Sequence, residues 1–332
     1  MKVLVTGASG FLGRAVVRSA AAAGHHVIAQ VRPTARLDEV DWDPDAITVV
    51  RGDLRQPGRW LDETVGAQVV VHLAAATAGD HNEQWAGTVV ATEQLLANID
   101  LPRLDRFVHV SSMSVYDFAR VPAGGVLDED APLDSPDDGR DPYTLTKLVQ
   151  ERLVREACAH ADTPLVVVRP GAVYGPGKPW AHGAALEVGP VAVVLAPNSP
   201  MRLTHVDNCA DAIVAAIDRP GAVGQTLNIV DDDPPTHLEF FGMCRAAGAT
   251  HRRTVPVPWV LVDLLGRILA LVDRVVAGGG ARLPEVVDHP RQVARWKPLR
   301  YPNTRAKVAL GWAPAVTIET GVRSLVSPGT VR

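Results

Sequence analysis

The chain has 332 residues, about two domains' worth or two lobes of one enzyme. With 47% hydrophobic and 21% charged residues it can build a packed core, which excludes a disordered chain. A net charge of -4 excludes nucleic acid as main partner, and 3 scattered cysteines (Cys158, Cys209, Cys244) give neither a disulfide framework nor a zinc site.

Lys2–Thr6 opens the chain as a strand, with no charged-head, apolar leader before it, and a cytoplasmic protein is expected. Further strands are expected at His26–Val31, Ile47–Arg51, Val69–Leu73, Arg106–Ser111 and Leu165–Arg169. Most are Val-, Ile- and Leu-rich with little polar alternation, as in strands buried on both faces of a parallel sheet. Helical stretches lie between them at Gly10–Ala23, Glu83–Ile99 and Pro142–His160. Such alternation implies right-handed crossovers and an α/β, doubly wound parallel sheet of the Rossmann type.

Beyond Arg169 the texture changes. Residues 170–200, rich in Pro, Gly and Ala, read as irregular loops. A strand (Met201–His205), a helix (Asn208–Ile217) and a strand (Thr226–Val230) follow, then a distinct region from about Asp232. There an 18-residue apolar segment, Trp259–Val276, precedes a break at Gly278-Gly279-Gly280. Its charges, Asp263, Arg267, Asp273 and Arg274, exclude a membrane span, which needs about 20 nearly uncharged residues. Asp263, Arg267 and Arg274 fall at helical spacings, giving one wet face on a helix packed against its own protein. The expected division is a dinucleotide-binding Rossmann domain of residues 1–170, with 201–230 returning to it. Residues 171–200 and 231–332 would form a smaller, mixed C-terminal substrate lobe.

Between the first strand and helix lies Thr6-Gly7-Ala8-Ser9-Gly10-Phe11-Leu12-Gly13. Gly7, Gly10 and Gly13 permit the sharp turn and a close approach of backbone N–H groups to a pyrophosphate at the positive end of the helix dipole. Where NAD sites carry a carboxylate for the ribose 2′-OH, the second strand runs instead into Arg32 and Arg36. A cation there pairs with a 2′-phosphate, so NADP(H) is favoured and NAD(H) remains possible; the competing role for Arg32 is stacking on adenine. Asp53, beside Leu54, can accept the adenine amino group. Leu73, Ala74 and Ala75 end the fourth strand with small residues suited to a backbone running along a cofactor.

Tyr143 and Lys147 stand at i and i+4 on one helix face, about 6 Å apart at Cβ. A phenol of pKa ≈ 10 is a poor base near neutrality, and a neighbouring ammonium is expected to bring it down. The fifth strand ends in Val110-Ser111-Ser112-Met113-Ser114, at the carboxyl edge where such sheets form their ligand crevice, so a serine there can donate to a substrate oxygen. Tyr-x-x-x-Lys alone is a common spacing; behind a glycine-rich turn and a strand-5 serine, it belongs to a specific set.

With these motifs the sequence resembles the extended short-chain dehydrogenase/reductase superfamily, also called the NAD-dependent epimerase/dehydratase family, over nearly its whole length. Arg169-Pro170-Gly171-Ala172-Val173-Tyr174-Gly175-Pro176-Gly177 and His205-Val206-Asp207 add to the likeness. The resemblance implies Tyr143 as acid/base, Lys147 binding the nicotinamide ribose, and Ser112 bonding the reacting oxygen. It places the backbone from Pro170 through Gly171 to Val173 at the nicotinamide carboxamide. It also implies a homodimer through helices 83–99 and 142–160; the acidic stretches Asp128–Asp130 and Asp134–Asp141 show no metal-ligand spacing, so no metal is expected. Ala172 and Met201 replace the asparagine and arginine usual in members acting on nucleotide sugars, with Arg202 beside Met201. The pattern looks more like the branch of dihydroflavonol and cinnamoyl-CoA reductases and 3β-hydroxysteroid dehydrogenase-like enzymes.

The expected function is therefore hydride transfer between a nicotinamide and a carbonyl or secondary alcohol of a small, fairly apolar substrate. A nucleotide-sugar epimerase or dehydratase that retains NAD is the alternative. A non-catalytic NADP-sensing protein is a third, and intact Ser112, Tyr143 and Lys147 count against it. The acidic stretches Asp128–Asp130 and Asp134–Asp141 are expected to be solvated, and His205 and Asp207 to fix a sheet edge.

Overall fold

The computed structural model describes residues 1–38, 40, 42–135, 140–178, 185–248, 252–276 and 288–325. In chain order the strands are β1 (Lys2–Thr6), β2 (His26–Val31), β3 (Ile47–Arg51), β4 (Val69–His72), β5 (Arg106–Val110) and β6 (Leu165–Pro170). β7 (Ala172–Tyr174), β8 (Leu186–Val188), β9 (Val191–Leu195), β10 (Leu203–His205), β11 (Thr226–Ile229) and β12 (Arg253–Val257) follow. The helices are α1 (Phe11–Ala22), α2 (Trp60–Thr64), α3 (His81–Trp85), α4 (Ala91–Asn98) and α5 (Pro142–His160), with α3 and α4 joined through one π-helical turn. α6 (Val206–Asp218), α7 (His237–Ala246), α8 (Trp259–Val276), α9 (His289–Trp296), α10 (Thr304–Leu310) and α11 (Ile318–Ser324) complete the set.

Seven strands form a parallel sheet in the order β11-β6-β5-β4-β1-β2-β3. Along β1, Val3 and Val5 join one buried cluster with Val16 and Ile213 of α1 and α6, while Leu4 joins a second with Leu95 and Val154 of α4 and α5. Successive side chains point to opposite faces, and helices cover both, so each apolar residue of the strand is buried. This is the expected α/β doubly wound sheet. The strand order reverses between β1 and β4, and the carboxyl ends at that reversal open a crevice.

Residues 170–200 depart from the expected loops. β7 pairs in parallel with β10, and β9 lies between antiparallel β8 and parallel β12. β7 and β8 have three residues each, too short a pattern to stand out from Pro- and Gly-rich surroundings, and β9 has five, directly after Gly189-Pro190. The wet face of α8 also differs. Val262 is buried, but Val260, Leu264, Ile268, Leu271 and Val275 stand exposed beside Arg267 and Arg274. One contact line cannot bury so many aliphatic side chains on an 18-residue helix. Among the described residues no helix is long and apolar enough to cross a membrane. Gly278-Gly279-Gly280 lie outside the described residues.

The acidic stretches are not simply solvated. The Glu129 side chain is buried and accepts the Asn228 N–H at 2.8 Å; burial pushes its carboxyl up. Asp134 pairs with Arg140 at 3.1 Å, both side chains nearly enclosed. Residues 136–139 of that stretch lie outside the described residues. His205 receives the Asp207 N–H on Nδ1 at 3.3 Å, which caps α6.

Candidate active site

The turn after β1 is shaped by glycine where no other residue fits. Gly7 has φ +70, and a Cβ on Gly13 would stand 2.2 Å from the Gly7 carbonyl oxygen. Gly10 caps α1 without a side-chain hydrogen bond, so the first N–H groups of the helix have no side-chain partner. Gln30 braces the turn: its Oε1 accepts from Gly7 N at 3.4 Å and its Nε2 donates to Gly52 O at 2.8 Å.

From this turn a cleft of about 850 Å³ runs along the carboxyl ends of the sheet. Gly7, Ser9, Gly10, Phe11, Leu12 and Gly13 line one end, with Arg32 after β2 and Asp53 and Leu54 after β3. Leu73, Ala74 and Ala75 form the wall after β4. Val110, Ser111, Ser112, Tyr143, Lys147, Pro170, Gly171 and Val173 close the other end.

Arg36 does not join them. It is exposed, outside the cleft lining, and its carbonyl accepts from Arg14 Nη2 at 3.2 Å. The Arg51 guanidinium binds the Pro33 and Ala35 carbonyls at 3.0 and 2.9 Å and holds this loop against β3. Sequence reasoning missed Gln30, Arg55 and Lys178, which also line the cleft. The Arg55 guanidinium grips Asp53 at 2.6 Å and holds its carboxyl below the usual range. Lys178 lies 5.4 Å from the Phe11 ring centroid; its one sequence signal is a cation directly after Gly175-Pro176-Gly177.

At the far end, Asp141 accepts the Thr144 N–H at 2.8 Å and Pro142 begins α5, which fixes where the helix starts. One turn in, Tyr143 is half-buried and Lys147 fully buried. Lys147 Nζ donates to Val110 O at 2.7 Å and Gln150 Oε1 at 2.5 Å. Burial pulls the ammonium down to about 7, against the opposing pull of Glu151. The Tyr143 phenol moves the other way from expectation: burial pushes it up, opposed by a hydrogen bond with Ser112. Desolvation of the phenolate sets this direction, with the Asp141 charge adding to it, while two of the three Lys147 donors are held by Val110 and Gln150.

Beneath the cleft, Arg169 of β6 grips Glu151 of α5 through Nη2–Oε1 at 2.6 Å and Nε–Oε2 at 3.1 Å. Arg169 also stacks 4.8 Å from the Tyr116 ring centroid, and the Tyr116 hydroxyl donates to Asn228 Oδ1 at 2.8 Å. Burial raises the Glu151 carboxyl, but Arg169 overcomes this and holds it down to about 2. Arg202, beside buried Met201, donates to Ala294 O at 2.8 Å and stacks on Phe118. Among the described residues no cluster of three or more His, Cys, Asp or Glu is placed to hold a metal ion.

The glycine cradle and the uncapped α1 fit a dinucleotide pyrophosphate, since a Cβ at Gly13 would collide with the turn itself. The family model described as "NAD dependent epimerase/dehydratase family" matches residues 3–229. The chain is 32% identical to a 3-diazoavenalumate denitrifying reductase from a Streptomyces species, over 95% of this chain and 96% of that protein. It is 27% identical to a 2-alkyl-3-oxoalkanoate reductase of Stenotrophomonas maltophilia, over 98% of each. The fold is similar to a Bacillus cereus UDP-glucuronic acid 4-epimerase solved with NAD, at TM-score 0.73 and 20% identity, covering 98% of this chain and 97% of that one.

Proposed function

The chain belongs to the NAD dependent epimerase/dehydratase family, and on that premise we propose that it is a reductase or dehydrogenase acting on a carbonyl or secondary alcohol of a small, fairly apolar substrate. The observation that carries this is one cleft holding a dinucleotide cradle at one end and Ser112, Tyr143 and Lys147 at the other. When bound, a nicotinamide ring supplies or accepts the hydride at the substrate carbon. Gly7, Gly10 and Gly13 admit the pyrophosphate to the backbone, Leu73 to Ala75 run along the dinucleotide, and Pro170 to Val173 meet the carboxamide. Ser112 donates a hydrogen bond to the substrate oxygen. In the reducing direction Tyr143 gives that oxygen its proton and regains one from solvent; in the oxidising direction it takes the proton. Lys147 holds the ribose and, as a cation, favours the phenolate.

Residues 1–170 with 201–230 would serve the cofactor and the remainder would select the substrate. NADP(H) is the preferred cofactor, because Arg32 lines the cleft after β2 and Asp53, the nearby carboxylate, is already paired with Arg55. Reduction is favoured over epimerisation of a nucleotide sugar because Arg202, the cation beside Met201, is engaged with Ala294 and Phe118. A homodimer through the outer faces of α4 and α5 belongs to the same proposal; light scattering at micromolar concentration checks it, and a monomer removes it.

The test is Tyr143→Phe, which keeps the ring and removes the proton. Folding and cofactor binding should survive while turnover falls by about 10²–10⁴-fold, the usual contribution of a positioned acid/base. Retention of more than about a tenth of the activity would mean that another group is the acid. Consumption of NADPH in proportion to product separates a reductase from an epimerase, which returns its cofactor unchanged.

A further inference from the structure

An ammonium has three N–H donors, and the orientation of the third is fixed once two are held by rigid acceptors. Lys147 is in that position. One donor goes to the Val110 carbonyl at the end of β5, a second to Gln150 Oε1, and one remains. Gln150 is itself fully buried on the next turn of α5. Its amide nitrogen donates to Ala74 O at 2.9 Å and Thr92 Oγ1 at 2.8 Å, and lies 3.1 Å from His72 Nε2. Reversing the amide would put N–H groups against the ammonium and the amide oxygen against a carbonyl, so charge alone fixes its orientation.

The partners of Gln150 are equally immobile. His72 is buried, Nδ1 lies 2.7 Å from Thr6 Oγ1 and Nε2 lies 2.9 Å from Thr92 Oγ1. Burial, with Lys147 adding to it, pulls its imidazole down to about 3, so it stays neutral beside the cation. Ala74 N donates to Thr6 Oγ1 at 3.3 Å, tying the cleft wall after β4 to the end of β1. One buried chain of hydrogen bonds thus runs from the strand that carries the glycine turn, through His72 and Gln150, to Lys147.

We infer that Gln150 is a positioning residue: it holds the Lys147 ammonium and the Ala74 wall of the cleft in one fixed unit, so that the single remaining ammonium N–H is presented to cofactor and tyrosine. This rests on the reading of Lys147 given above. Gln150 touches neither substrate nor cofactor and acts only through Lys147 and Ala74.

The test uses the sign of a pH shift. The ionisable groups around Lys147 are Glu151 on its own helix, Tyr143 one turn before it, His72 on β4 and His109 on β5; Glu151 alone favours the cation by its charge, and both histidines are held neutral by burial. Removing the Gln150 acceptor leaves the cation less supported, so Lys147 should lose its proton at lower pH. Gln150→Met keeps the volume and removes the acceptor. The basic limb of kcat/KM, and of NADPH affinity followed by fluorescence, should move down by about one pH unit, a tenfold loss above the limb. Gln150→Glu keeps an acceptor on Lys147, so its limb should stay at the wild-type position or move up.

A Gln150→Met protein whose limb is unmoved, whatever its thermal stability, overturns the inference. Should that variant not fold, a limb in Gln150→Glu that moves down would overturn it instead. Lys147→Met in parallel separates the two levels. If it keeps wild-type activity, the proposed function fails; if it is inactive while Gln150→Met shows no shift, only the role of Gln150 fails.

Discussion

Glu151→Gln replaces the carboxylate that joins α5 to β6 with an amide of nearly the same shape. In the wild type this side chain is 4% exposed and accepts both prongs of Arg169, itself 3% exposed, at 2.6 and 3.1 Å. The carboxyl sits at about 2 against an ordinary 4.5, and each unit is worth about 1.4 kcal/mol, so the ionised form supplies about 3 kcal/mol at pH 7. The same size follows from the guanidinium. Breaking a buried pair by removing one partner costs about 3–5 kcal/mol, because the other charge stays buried without compensation. Arg155 reaches the same Oε1 at 2.8 Å, but its side chain is 41% exposed, so water takes over its charge and it adds little.

The pH dependence has a definite sign. A depressed carboxyl contributes stability above its ordinary pKa and loses it as pH falls toward the folded value. The gap between wild type and Glu151→Gln should therefore be full at pH 7, shrink below pH 4.5, and nearly vanish near pH 2. Urea unfolding of both proteins at pH 7, 4 and 3, with slopes compared to check that both unfold in one step, measures it. A gap under about 1 kcal/mol at pH 7, or one that stays constant down to pH 3, would refute the assignment of this pair as a charged clamp.

Gly13→Ala should destabilise the protein by about 1–3 kcal/mol and weaken dinucleotide binding, since its Cβ meets the Gly7 oxygen and the Ala8 backbone, neither of which can swing aside; wild-type unfolding and cofactor titration curves would contradict this. Arg32→Ala should weaken NADPH by about 1.5–3 kcal/mol and leave NADH nearly unchanged, as measured by fluorescence titration. Equal losses for both cofactors would reduce Arg32 to a stacking residue.

The local rules written into single segments determined most of the frame. Lys2–Thr6, His26–Val31 and Ile47–Arg51 read as strands to the residue: the first two are central strands, apolar along nearly their whole length because helices cover both faces, and Ile47–Arg51 is an edge strand carried by its β-branched residues, with Val49 and Arg51 exposed. The helical stretch Pro142–His160 matches α5 to the residue, and i, i+4 spacing puts Tyr143 and Lys147 on one face of it; that Asp141 caps it is a finding of the structure. The glycines of the first turn are legible for the same reason: the backbone there excludes a Cβ.

What only the tertiary structure decided concerns environment and partner. Spacing set Lys147 beside Tyr143, yet two of its three ammonium donors go to Val110 and Gln150, and the phenol rises through burial; desolvation depends on every neighbour in space and on none in particular in sequence. Arg36 looked as suited to a phosphate as Arg32 until the hold of Arg51 on the intervening loop set one in the cleft and the other outside it. Glu129, in an acidic run that reads as solvated, is drawn inside because Asn228 of a distant strand offers it an N–H. The long-range contacts of Lys147 with Val110, Arg51 with Ala35 and Glu129 with Asn228 join residues far apart in the chain, and a one-dimensional pattern carries no trace of a contact that only packing creates.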